Sequence, residues 1–326
     1  MSKIQKGEVL AIIPARGGSK SIPRKNINLF AGHPLLAYSI AAAKQSKLVT
    51  RVIVSTDDEE IAAVARKYGA EVPFLRPAEH AQDATPDLPV FAHALEWLAE
   101  QEDYFPELVV QLRPNTPVRP PGCEDEGIQK LLDAPEADSI RAVVPSGQNP
   151  HKMWRINEDD LMTQLLTVDG IVEPYNAPRQ HLPPIYWQTG HLDITRPATL
   201  LEKRSMTGDS ILSLVLDAGY TVDIDNPSDW EKAEWLIQFG GLDVVTPEGR
   251  GYNLPEQLDL IVFDFDGVFT DNRVWVDQNG VESVSASRGD GMGISLLKKA
   301  GFRAMVLSTE TNPVVAARCA KMKLPV

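Results

Sequence analysis

The chain has 326 residues, enough for two domains, and its 43% hydrophobic and 24% charged residues are the balance of a globular protein. A net charge of −13 disfavours nucleic acid as a general partner, and no run approaches the roughly 20 apolar residues that a membrane span needs. Two distant cysteines, Cys123 and Cys319, point to reduced thiols in a cytoplasmic protein, and the apolar run behind Lys3 and Lys6 is too short for a secretory signal.

The first predicted element is a strand over Val9–Ile13, short, rich in branched side chains and ended by Pro14. A loop follows, running Ala15-Arg16-Gly17-Gly18-Ser19-Lys20-Ser21-Ile22-Pro23-Arg24-Lys25-Asn26. Its glycines let backbone N–H groups close on an anion with no Cβ in the way. Its four cations neutralise phosphate charge, and the arginines do so bidentately. Residues 1–50 hold eight Lys or Arg and one acid, Glu8, in a chain that is otherwise strongly acidic. Positive charge is therefore concentrated where the glycines are, which fits a polyphosphate site better than a solvated basic loop. Neither Gly-x-x-x-x-Gly-Lys-Ser/Thr nor Gly-x-Gly-x-x-Gly follows this strand, so the loop belongs to another nucleotide-binding class.

Further along, Pro34 to Lys47 has helical spacing, Arg51–Thr56 reads as a second strand, and Asp57 is a candidate cap for a helix reaching Tyr68. Glu71–Leu75 reads as a third strand, and a helix spans about Asp87 to Gln101. Leu108–Leu112 and Ala137–Pro145 add two more strands. The alternation predicts an α/β fold with a mostly parallel sheet, whose ligands sit beyond the carboxyl ends of the strands. From about residue 148 to 206 the alternation breaks, and aromatic and polar residues in irregular segments there suit sugar binding or a subunit interface. Val222-Asp223-Ile224-Asp225 reads as a strand that points two carboxylates to one face, a pair suited to magnesium beside a triphosphate. A helix then starts with Pro227 in its first turn, so Asp225 or Asn226 serving as its cap is the competing reading.

Pro14-Ala15-Arg16-Gly17-Gly18-Ser19-Lys20, followed by Pro23, Lys25 and Asn26, resembles the signature of the acylneuraminate cytidylyltransferases, and the resemblance continues to about residue 240. It implies a nucleotide-diphosphosugar-transferase-like fold that activates a nonulosonic acid with CTP and magnesium. It implies that Arg16 and Lys25, with Ser19 and Lys20, bind the triphosphate, and that Ala15, Gly17, Asn26, Arg76, Asp83, Thr85, Gln111 and Arg119 complete the nucleotide site. Where Asn115 stands, the family usually has a small hydroxyl residue. Lys152, Arg179, Gln180, Tyr186 and Gln188 match sugar-binding positions within a region that docks two subunits, so a homodimer or homotetramer is expected. Asp223 and Asp225 match the metal-binding acids. A substrate of eight carbons in place of nine, or a non-catalytic assembly role, are the alternatives.

The expected first domain spans residues 1–240, with a linker over 241–257. From 258 to 326 the chain resembles the start of a haloacid-dehalogenase-type phosphatase, with Asp264 matching the nucleophile and Asp266 the general acid/base. The lysines that follow Ser308-Thr309 are Lys321 and Lys323, and no acid follows Glu310. A carboxylate nucleophile facing a dianionic phosphate lacks support there, so phosphatase activity is not expected.

Overall fold

The computed structural model describes residues 4–247, 258–309 and 312–326. The chain divides into two compact units, Met1–Tyr252 and Asn253–Val326.

The first unit is built on β1 (Gln5–Pro14), with α1 (Leu35–Gln45), β2 (Arg51–Ser55), α2 (Glu59–Lys67), α3 (Asp87–Glu102) and β3 (Pro106–Gln111) after it. Then come α4 (Cys123–Leu132), β4 (Ser139–Pro145), β5 (Tyr186–Thr195), β6 (Ile211–Val215) and α5 (Pro227–Phe239). The six strands form one sheet in the order β6-β4-β5-β3-β1-β2. β1 pairs in parallel with β2 and β3, β6 pairs in parallel with β4, and β5 runs antiparallel to both of its neighbours. Val9 to Ile13 are all buried because both faces of β1 are covered. Val9, Ala11 and Ile13 pack in one core with Leu36 and Ile40 of α1, Ile61 of α2 and Leu131 of α4. Leu10 and Ile12 pack in the other with Phe91, Leu95 and Leu98 of α3. The two-residue period of the strand thus sorts its side chains between helices on opposite faces.

Three sequence expectations change. Glu71–Leu75 makes only isolated parallel bridges, Ile53↔Glu71 and Thr56↔Leu75, and is not a sheet strand. Val222–Asp225 carries no strand assignment, although Val222 and Ile224 are buried while Asp223 and Asp225 are exposed, so the alternation that puts both acids on one side survives. The irregular 148–206 region contains a ten-residue strand of the main sheet, β5. It is inserted antiparallel between β3 and β4, where no run of helix–strand alternation announces it. His191 on β5 is fully buried, with Nε2 2.9 Å from the Val118 carbonyl and 3.2 Å from that of Tyr220. It ties the loop after β3 to the turn that precedes Asp223, and burial pushes its pKa down to about 4, so it does so as the neutral ring.

The expected linker lies partly outside the described residues. Within them, Val245 is still part of the first unit's core, and its N–H donates to the Arg119 carbonyl at 2.9 Å. The second unit pairs β7 (Ile261–Phe263) in parallel with β8 (Ala304–Val306), with α6 (Arg288–Lys299) and α7 (Pro313–Met322). Its own core gathers Phe265, Phe269, Val306, Val315 and Cys319. No helix among the described residues is long and apolar enough to cross a membrane.

Candidate active site

The site lies beyond the carboxyl ends of β1, β2 and β3. Ala15 is buried and closes the end of β1, its N–H donating to the Ser55 carbonyl of β2 at 3.0 Å. The chain then turns out through Arg16 and Gly17. Asn26, itself buried, donates to the Arg16 carbonyl at 2.9 Å and so fastens the two ends of the loop together. The Gly17 N–H donates to the Asp57 carboxylate at 3.0 Å, and Arg24 reaches Asp58 at 2.5 Å. The expected helix cap moves by one residue: Asp58 accepts from the N–H groups of Glu60 and Ile61 at the start of α2, which frees Asp57 for the loop.

Arg16 pairs with Asp83 at 2.5 Å, and Lys20 pairs with the same carboxylate. These two cations hold the Asp83 carboxyl below its usual range, Lys20 contributing most. Asp83 thus stands where an anionic ligand's oxygens would meet the loop. A cleft of about 230 Å³ is lined here by Arg16, Lys25, Asn26, Asp83, Thr85 and Arg113. Lys25 is directed to the far side, its Nζ donating to the Ile224 carbonyl at 2.7 Å, between Asp223 and Asp225. Burial lowers the Lys25 pKa against the attraction of those two acids.

Asp223 and Asp225 repel one another. The Asp223 pKa is raised first by burial and then by the Asp225 charge. Neither acid is the helix cap: Asn226 accepts from the Asp229 N–H at 3.1 Å, and Asp229 closes the box by accepting from Asn226 N–H at 3.2 Å. Among the described residues no group of three or more His, Cys, Asp and Glu side chains is placed to hold a metal ion by itself. A repelling carboxylate pair with its remaining positions open suits magnesium, which takes one or two carboxylates and fills the rest with phosphate oxygens and water.

Two predicted nucleotide residues are buried and held by the protein's own acceptors. Arg119 is wholly buried and donates to the His191 and Arg113 carbonyls at 2.9 and 2.6 Å, and to Ser39 Oγ at 3.0 Å. It staples the loop after β3 and has no face for a ligand. Arg76 is buried against Ser55, donating to its Oγ at 3.0 Å and to its carbonyl. Gln111 is 2% exposed and donates to Asp87 at 2.7 Å, while its Oε1 has no partner. Ser19 is half-buried, between exposed Gly18 and Lys20 of the loop.

The predicted sugar residues do not share this cleft. Arg179, Gln180 and Tyr186 line a separate cavity of about 480 Å³. Arg179 donates to the Ser146 carbonyl at 2.6 Å and Lys152 to the Tyr175 carbonyl at 3.3 Å. Gln188 accepts from Arg141 at 3.1 Å. Sequence reasoning missed Arg113, Asp87, Asp193 and Arg141; the placement of Arg113 directly after β3 was the available signal. In the second unit, Asp264 follows β7 directly, accepting the Phe265 N–H at 2.7 Å, and both Asp264 and Asp266 are exposed.

A glycine-rich cation loop at the switch from strand to helix, facing a carboxylate pair, defines an α/β nucleotidyltransferase. A solved CMP:2-keto-3-deoxy-manno-octonic acid synthetase complexed with CTP shares the fold, with a TM-score of 0.52 at 18% identity, over 71% of this chain and 98% of that one. The cytidylyltransferase family model matches residues 10–152. The CMP-N,N'-diacetyllegionaminic acid synthase of Legionella pneumophila is 34% identical over 232 residues, 71% of this chain and 96% of the relative. The N-acylneuraminate cytidylyltransferase A of Danio rerio is 30% identical over 317 residues, 96% of this chain and 68% of the relative. The chain belongs to the cytidylyltransferase family.

Proposed function

We propose that the chain transfers CMP from CTP to a nonulosonic acid and releases pyrophosphate. The observation that supports this is the placement of Lys25, which ties the cation loop to the Ile224 carbonyl between Asp223 and Asp225, so that a triphosphate on the loop would meet a metal on the pair. The names of the relatives supply the sugar class. Arg16 and Lys20 exchange Asp83 for phosphate oxygens, and Ser19 adds a hydroxyl. Asp223 and Asp225 hold magnesium, which when bound screens the phosphate charge. The anomeric hydroxyl of the sugar attacks the α-phosphorus and gives up its proton to water, the bond from the α-phosphorus to the bridging oxygen breaks, and pyrophosphate leaves. Positioning and charge stabilisation carry the step, without a covalent intermediate. The test is CTP and magnesium with a panel of eight- and nine-carbon sugar acids, following pyrophosphate. Release is expected with CTP and a nine-carbon acid together; equal turnover with ATP, or release without sugar, would overturn the reading.

We also propose that the 148–206 region joins two copies of the chain. Trp154, Met162, Val172 and Trp187 are 37%, 54%, 94% and 61% exposed there. Apolar residues so exposed favour an interface. The separate cavity around Arg179 would then complete the neighbour's cleft. Mixing Arg16→Ala chains with Arg179→Ala chains is expected to restore part of the activity that each lacks. Mixtures shown to exchange subunits yet still inactive would place the whole site in one chain. The second unit is proposed to be haloacid-dehalogenase-like, on the strength of Asp264 and Asp266 after β7.

A further inference from the structure

The cleft contains a cation that the triphosphate and metal readings leave unused. Arg113 follows β3 and lines the cleft with Arg16 and Lys25. Its side chain is 24% exposed. It is clamped from two directions: Nη2 donates to Asp87 of α3 at 2.9 Å and Nη1 to Asp193 of β5 at 3.1 Å. Asp193 is 3% exposed and is held in turn by Arg141 of β4, at 2.7 Å from Nε and 3.0 Å from Nη2. Arg141 also donates to Gln188 at 3.1 Å. Four residues from three elements, Asp87 of α3, Asp193 and Gln188 of β5 and Arg141 of β4, therefore fix one guanidinium at the cleft wall, and only two of its five N–H donors are used by its acids.

The sheet order gives this cation an address. The phosphate loop follows β1; β2 lies on one side of it, and β3 and then β5 on the other. Arg113 enters the cleft from the β3–β5 side, facing Asp83 and Thr85 across it, with Asp87 as its partner at the start of α3. We propose that Arg113 binds the carboxylate of the sugar acid and that Asp193 is the positioning residue that aims it. A planar fork fixed at two corners presents its remaining donors as a rigid bidentate anchor for a carboxylate. A sugar acid brings one such group, and its distance from the anomeric carbon is constant across the class. An anchor at that point sets the attacking oxygen in line while leaving ring substituents unread. This inference rests on the proposed reaction.

The test uses the full chain and the most active acid of the panel, with that acid's C1 amide as the probe. Arg113→Gln is expected to raise the KM for the acid by roughly 10- to 100-fold, the worth of a charge-assisted hydrogen bond, with the KM for CTP changed less than about twofold. Arg113→Lys is expected to fall between, keeping charge without the fork. Wild type is expected to lose the same factor with the amide, and Arg113→Gln to lose nothing further with it. A structural role would not produce that non-additivity. Asp193→Asn is expected to raise the acid's KM by a smaller factor. Equal acid KM in Arg113→Gln and wild type, or additive losses with the amide, would overturn the assignment. Failure of wild type on every acid would instead overturn the proposed reaction, which separates the two.

Discussion

Asp225→Asn is expected to lower pyrophosphate release by roughly 100- to 1,000-fold, and Asp223→Asn by a similar factor, because each removes half of the charge that holds magnesium. The fold should be indifferent to Asp225→Asn. The cap of α5 is Asn226, the box is closed by Asp229, and the carboxylate of Asp225 does neither job. Thermal unfolding should stay within about a degree of wild type, since surface changes of this sort move stability by under 0.5 kcal/mol. The pH profile adds a sign. Burial and the Asp225 charge raise the Asp223 pKa, so wild-type activity should begin to fall, on acidification, above the usual carboxylate range. With Asn at 225 that repulsion is gone, so Asp223 ionises more readily and the acid limb of the residual activity should move to lower pH. Near-wild-type rates for both variants at low magnesium would mean that the pair does not hold the metal.

What the sequence revealed of this site, and what it hid, follows from how far each signal reaches along the chain. The loop after β1 was legible because its glycines, cations and preceding apolar strand are contiguous, and the same holds for the alternation from Val222 to Asp225. Asp58 as cap, in place of Asp57, depended on a single-residue shift that both Asp residues permit until the Gly17 N–H claims one of them. β5 was hidden because its polar residues, Gln188, His191 and Asp193, do not read as a central strand; Arg141, Val118 and Tyr220 satisfy them across 29 to 73 residues of sequence. Arg113 and Arg119 look alike in sequence, both beside prolines at the end of the same strand. Only burial tells them apart: Arg119 is sealed under His191, while Arg113 reaches the cleft.

Gly17→Ala is expected to cost roughly a hundredfold in kcat/KM for CTP while the chain stays folded. A Cβ at position 17 would lie 2.8 Å from Asp58 Oδ2 and 3.1 Å from Asp58 Cβ. Asp58 cannot give way cheaply. It caps α2 through two backbone N–H groups and holds Arg24 at 2.5 Å. Losing that cap would cost about 1 kcal/mol, so the loop is the softer partner and moves instead. Arg16 is adjacent and Asn26 is bonded to its carbonyl, so the shift carries the phosphate-binding side chains with it. A displacement near 1 Å is enough for a loss of about 100-fold when catalysis depends on placement. Gly18 is the internal control, because a Cβ there meets no heavy atom within 4 Å. Gly18→Ala should leave the melting temperature unchanged. Adding Asp58→Ser to Gly17→Ala should restore part of the activity, since serine caps a helix about as well and removes the carboxylate oxygen in the way. If Gly17→Ala keeps wild-type kcat/KM, or if Asp58→Ser makes it worse, the wall that Asp58 presents to the loop is not what sets its position.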